Sequence, residues 1–240
     1  MKRNTQFALV VVSLIAVLAL PVMAQFGPPV VKTNSVAYGR TYGEWSAAWW
    51  QWAFSIPVAS HPLFDNGDCS VGQSGPVWFL GGRFCQTGQP CNGAATRSCK
   101  VPVGKALYFP LNNVADTAPE EPNWGCGNSL PPLVGGTIAE MRQCVASFID
   151  QVTGLEADLD GEQIHNIKSN FRVQSPQFDV TWPEDNVLTA IGEGPFSAGT
   201  YSPVIDDGYY LLLEPLSPGI HTLHFQAGSQ GITYHLTVLK

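Results

Sequence analysis

The stretch GYYLLLEPLSPGIHTLHFQAGSQGITYHLTVL, residues 208–239, decides the fold. It predicts three strands, Gly208 to Glu214, Gly219 to Ala227 and Gly231 to Leu239, parted by the turn-forming segments 215–218 and 228–230, and so reads as a β meander. Successive side chains along a strand point to opposite faces. On the middle strand His221 therefore shares a face with Leu223 and Phe225, and His224 shares the other with Thr222 and Gln226. Three residues apart, the two histidines cannot aim at one metal ion. His221 is expected to be a hydrogen-bonded histidine among core neighbours, not a metal ligand or an acid–base group.

The same texture continues upstream. Phe178, Val180 and Trp182 alternate with polar residues, as in a half-buried strand whose apolar face carries Trp182. Asp160-Gly161, flanked by Leu155 to Asp158 and Glu162 to Ile167, is a hairpin signal, since both central positions of a type I′ turn need positive φ. Asp158 and Asp160 also suggest a calcium loop, but the glutamate twelve places after the first aspartate is missing, so turn chemistry is expected. Two buried-type runs, Pro76 to Leu80 and Ala106 to Leu111, precede a Pro/Gly/Asn-rich connection from Val114 to Gly136 that holds Trp124 and Cys126. With 24 glycines and 19 prolines the chain favours short strands and tight turns. The expected fold is mainly β: an antiparallel β-sandwich, jelly-roll or immunoglobulin-like, with two accessory α-helices and a disulfide-stapled loop region.

Both helices begin with the T-x-x-E capping box, Thr41 with Glu44 and Thr137 with Glu140, in which each side chain satisfies a free backbone N–H. The second runs from Ile138 through Met141, Val145, Phe148 and Val152 along one apolar stripe, ends near Gly154 and holds Cys144 beside that stripe. The first, Thr41 to about Phe54, has tryptophan at 45, 49, 50 and 52. Trp45, Trp49 and Trp52 share a stripe with Ala48, while Trp50 and Phe54 point away from it. A helix apolar nearly all round is either covered on both sides or presents a surface to something else.

Residues 1–24 read as a secretory signal peptide: basic Lys2 and Arg3, an apolar run from Phe7 to Leu20 broken only by Ser13, Pro21, and a small-residue close before Gln25. The run is shorter than the roughly 20 residues that span a bilayer, so no transmembrane anchor is expected in the mature chain, 25–240, a single β-rich domain with one candidate sub-boundary near 154. Two of the 12 basic residues lie in the leader, leaving 10 against 19 acidic, a formal charge of −9. Such a surface repels phosphates, which argues against nucleic-acid partners. The protein is expected to be exported to the periplasm or the extracellular space.

All six cysteines lie between Cys69 and Cys144. An even number in an oxidising compartment implies three bridges; of the fifteen possible connectivities the expected one, nested so that loops stay local, is Cys69 with Cys99, Cys85 with Cys91, and Cys126 with Cys144. The spacing lacks the close pairs of zinc sites, and no histidine falls in the window, so no metal is expected. No cofactor is expected either.

Four stretches, WSAAWWQW (45–52), GQSGPVWFL (72–80), RSCKVPVGKALYFP (97–110) and the segment from Asp207 to Thr222, resemble a family of uncharacterised secreted bacterial proteins. The resemblance implies export and one integrated domain, and it transfers no catalytic residue.

No nucleophile elbow, H-E-x-x-H or P-loop is present. The expected function is that of a binding or structural module recognising carbohydrate through exposed aromatics, because flat indole faces stack on sugar rings. Its candidate contacts are Trp50, Phe54, Trp124, Trp182 and, in the polar cluster 61–68 beside the tryptophan helix, Asp65. One alternative is a secreted polysaccharide hydrolase using a carboxylate pair from among Glu44, Asp65, Asp68, Asp206, Asp207 and Glu214. The other is a self-association module or one that docks an envelope protein.

Overall fold

Within 208–239, the run Tyr209–Leu213 is apolar at every position, whereas the two strands after it alternate, and that difference places them in different sheets. The computed structural model describes residues 27–64, 67–88, 94–117, 137–192 and 196–240; the leader, Gln25, Asp65, Cys91, Trp124 and Cys126 fall outside them. The elements in chain order are α1 (Tyr42–Ser55), β1 (Val77–Phe79), β2 (Ala95–Pro102), β3 (Ala106–Thr117), α2 (Ile138–Asp150), β4 (Glu156–Leu159) and β5 (Glu162–Gln163). There follow α3 (Ile167–Asn170), β6 (Arg172–Gln174), β7 (Phe178–Trp182), α4 (Val187–Ile191), β8 (Gly199–Leu213), β9 (Gly219–Ala227) and β10 (Gln230–Leu239).

The first sheet has the order β1-β3-β8-β6, with β7 also paired to β8; the second runs β2-β10-β9-β4-β5. The expected three-stranded meander is therefore corrected. β9 and β10 form a hairpin, but β8 belongs to the other sheet, and residues 214–218 cross between the two. The cause is burial. β8 is covered on both faces from Val204 to Leu213, and a strand in that position needs apolar side chains of both parities.

The sheets stack, and pairing within them is mixed rather than wholly antiparallel as expected. β1 runs parallel to β3, and β2 runs parallel to β10 over eight residue pairs. Strands from either side of residue 154 share the second sheet. Both capping boxes form: Thr41 N–H donates to Glu44 at 2.7 Å, and Thr137 N–H to Glu140 at 2.7 Å. Besides the two expected helices, the short α3 and α4 are present. The Asp160-Gly161 turn has φ of 55° and 81°, as a type I′ hairpin requires.

Three layers result. On one face of the first sheet, Tyr108, Val180, Trp182, Tyr210 and Leu212 pack against α1. On its other face Leu107, Phe109, Tyr209, Leu211 and Leu213 meet Leu223, Phe225, Tyr234 and Leu236 of the second sheet. α2 packs on β3 and β8 of the first sheet, with Met141 and Val145 against Ile205. Cys69 and Cys99 are bridged as expected. Cys85 and Cys144 are disulfide-bonded too. The expected pairings Cys85–Cys91 and Cys126–Cys144 each have one member outside the described residues.

Candidate functional site

The aromatic candidates are core. Trp50 is 4% exposed, Phe54 0% and Trp182 1%. Their rings form a continuous line: Trp50 to Phe54 at 4.8 Å, Phe54 edge-on to Trp182 at 6.1 Å, and Trp182 stacked on Tyr201 at 3.9 Å. They do not present a face to a sugar, which corrects the expectation. The reason is that α1 is covered on both sides. The first sheet buries Trp50 and Phe54, while Leu63, Phe64, Val71 and Phe79 pack over the opposite stripe and backbone carbonyls accept its indole N–H groups, Trp49 at Leu80 O (2.6 Å) and Trp52 at Val71 O (3.1 Å). The remaining aromatic and acidic candidates, Trp124 and Asp65, lie outside the described residues.

The candidate carboxylates are held singly. Asp206 and Asp207 are adjacent on β8, so they point to opposite faces, and both are fully buried. Asp206 faces α1 and accepts the hydroxyls of Ser46 (2.8 Å) and Tyr210; Trp50 also hydrogen-bonds to it. Burial pushes its pKa up to about 6 against the pull of these donors. Asp207 faces the other way and binds the Arg172 guanidinium at 3.1 and 2.9 Å, with Gln174 at 3.0 Å. Glu44 is the N3 carboxylate of the α1 capping box, accepting the Thr41 N–H, and Asp68 accepts the N–H of Ser70 at 2.9 Å. Asp116, which sequence reasoning passed over, is buried and likewise raised to about 6 by that burial. Pointing to opposite faces of β8, Asp206 and Asp207 do not form with each other the facing pair that a glycosidase needs.

His221 and His224 lie on β9, in the middle of the second sheet. His221 lies on the face predicted for it, with Nδ1 2.7 Å from Asp160 Oδ2 and Nε2 2.9 Å from Ser217 O. The Ser217 hydroxyl is 3.5 Å from Nε2. The trio has the composition of a serine-hydrolase triad but not its geometry. Nε2 faces a carbonyl acceptor and so carries a hydrogen, which leaves it unable to take a proton from the serine. His224 points to the opposite face and meets Asp158 at 3.1 Å. Among the described residues no three His, Cys, Asp or Glu side chains gather as a metal cluster.

What the layering leaves open is the outer face of the second sheet. Register puts its side chains in rows: Ser98, His235 and Thr222; Thr96, Thr233, His224 and Asp158; Lys100, Thr237 and Ile220. Strands about 4.7–4.9 Å apart make this a regular grid of hydroxyl, imidazole and carboxylate groups. Thr96, Ser98, Lys100 and His235 are exposed, and Thr222, His224, Thr233 and Thr237 partly so. Sequence reasoning missed the Thr96-Ser98-Lys100 row. Its signal was the alternation of Ala95, Arg97, Cys99 and Val101 between them, hidden because a buried arginine occupies one inward position. There Arg97 donates to the carbonyls of Gly81, Gly82 and Leu63 at 2.9–3.0 Å.

A second, shallower feature is a groove of about 570 Å³ at the start of α1, lined by Thr33, Asn34, Glu44, Arg172 and Gln174. Most of its polar side chains are already paired within the chain: Thr33 with Asn170 O, Glu44 with Thr41, and Arg172 and Gln174 with Asp207.

Compared with protein-family models, curated proteins and solved structures, the chain matches none of them.

Proposed function

We propose that this protein is an exported, non-catalytic binding module that recognises carbohydrate on the open face of its second sheet. The observation that carries this reading is the layer order. The first sheet is covered on both sides, whereas the outer face of the second is open and carries Thr96, Ser98, Thr222, Thr233, Thr237, His224 and His235 in register. Hydroxyl and imidazole groups on a rigid grid match a polyhydroxylated ligand, through direct and water-mediated hydrogen bonds. The net negative charge disfavours polyanionic ligands. Export is supported by the oxidised state of Cys69, Cys85, Cys99 and Cys144.

The test is retention of the purified protein by insoluble polysaccharides, cell-wall glycan included, beside Thr233→Arg, which places a bulky side chain at the centre of the face without entering the core. Retention by at least one polymer that the variant loses is the expected result. Equal retention of the variant, or no retention by any polymer, overturns the reading.

A second reading is favoured by one observation. Ile220 is 81% exposed, and Val103 and Leu239 are 48% and 43% exposed at the same end of that sheet. This apolar margin suits contact with an envelope protein or with a second copy. If it self-associates, sedimentation velocity shows a concentration-dependent dimer that Ile220→Lys abolishes.

A further inference from the structure

One side chain ties the β4–β5 hairpin to the segment that crosses between sheets. His221, on β9, stands between Asp160 in the hairpin turn and Ser217 in the crossover, with Nδ1 2.7 Å from the carboxylate and Nε2 2.9 Å from the carbonyl oxygen. Neither oxygen has a hydrogen to give. A neutral imidazole has one nitrogen without a hydrogen, and here that nitrogen would face a lone pair; both contacts are hydrogen bonds only when the ring carries two protons. The same carboxylate accepts the Thr222 N–H through Oδ1 at 2.7 Å, so its position is set independently of the ring.

We propose that the His221 imidazolium is a proton-dependent latch that fastens the β4–β5 hairpin to the 214–218 crossover, and that its deprotonation releases the hairpin. The groups around it favour this. From the hairpin, Asp160 faces the ring. From β10, the register partner is Leu236, which is uncharged. The crossover contributes Ser217 oxygens and one ionisable residue, Glu214; on β9, His224 faces the other side and pairs with Asp158. Burial pulls the His221 pKa down, but the hydrogen bonds to Asp160 and Ser217 outweigh it and hold it above the ordinary histidine value. A histidine raised on folding stabilises the fold in full below its unfolded pKa and loses that contribution as pH rises through the folded one. The latch is therefore closed in acid and opens toward alkaline pH. Glu156 and Asp158 lie on the released hairpin, so its opening would loosen one margin of the carbohydrate face, a consequence that rests on that reading.

The latch is tested without any ligand. Imidazole ¹⁵N shifts report the protonation of His221, and amide exchange, corrected for intrinsic rates, reports protection of residues 157–164. The expected result is a ring that keeps its second proton to higher pH than an ordinary histidine does, and a several-fold loss of hairpin protection that follows its titration. In Asp160→Asn, which keeps a residue tolerant of the left-handed turn, both the titration and the loss of protection move to lower pH. His224→Gln, which removes the other histidine facing the hairpin, leaves the loss in place. A ring that titrates below an ordinary histidine, or hairpin protection indifferent to its titration, overturns the proposal. Since no reading involves a polysaccharide, failure here is distinct from failure of the carbohydrate assignment.

Discussion

Two buried groups in the α1 layer titrate with opposite effects on stability. Asp206 is raised to about 6 by burial; a carboxyl that binds its proton more tightly when folded adds stability in full below its unfolded pKa and loses it as pH rises through about 6. His61 is the converse. Burial lowers its pKa to about 4 while its ring bonds Ala53 O at 2.8 Å and accepts Leu63 N–H at 3.1 Å, so its contribution is present above the ordinary histidine value and lost as pH falls through about 4. Across the mildly acid range the two oppose each other, and the wild-type profile alone does not separate them. The difference between wild type and Asp206→Asn does. Urea unfolding at about pH 7 and about pH 4.5 is expected to show the wild type gaining about 2 kcal/mol relative to the variant at the lower pH. An equal difference at both pH values would mean that Asp206 is ionised in the folded protein throughout.

At the scale of elements, α1 shows what a helix apolar on nearly every side is for. Only Glu44, Gln51 and Ser55 within it are exposed, a narrow stripe between two covering layers. Trp50→Ala is accordingly expected to reduce stability by about 3 to 5 kcal/mol, as removal of a large buried aromatic does, and Thr41→Ala by about 1 kcal/mol through loss of the cap. Denaturant unfolding measures both; a near-neutral Trp50→Ala would return that side chain to the surface role suggested by its angular position. Elements whose cause is local were legible in the sequence: both capping boxes, the Asp160-Gly161 turn, and the alternation of β9, β10 and β7. Elements whose cause is a distant partner were not. β2 is a strand because eight of its residues pair with β10, more than 130 positions away, and its own alternation is masked by Arg97. β8 extends back to Gly199 through Asp206 and Asp207, which are tolerated in a buried strand only because Ser46, Tyr210, Arg172 and Gln174 meet them. The aromatic surface failed as a site for the same reason. Angular position shows that two faces of α1 are apolar, but not that both are covered. The open polar face of the second sheet became visible only once the layers were stacked.

For the whole molecule, the question is how the outer layers are held together across the first sheet. β2 does this twice from one strand face. Arg97 reaches the carbonyls of Leu63, Gly81 and Gly82, and Cys99 bonds Cys69, so the segment that closes over α1 is fixed to the second sheet. The same segment holds the indoles of Trp49 and Trp52 through Leu80 O and Val71 O. Replacing both cysteines with serine frees a loop whose ends are 30 residues apart; in the loop-entropy account this lowers stability by about 3 to 4 kcal/mol. The layering makes a more specific prediction than the loss itself. Since the bridge restrains the cover of α1 and not the β3–β8 pairing, the Cys69→Ser/Cys99→Ser variant should lose the cover first. In a urea titration its tryptophan emission is then expected to shift toward the red at lower denaturant than the far-ultraviolet β signal falls, whereas the two coincide in wild type. Coincident transitions in the variant would mean that the three layers unfold as one cooperative unit without the bridge, held in register by Arg97 and the packed sheet faces alone.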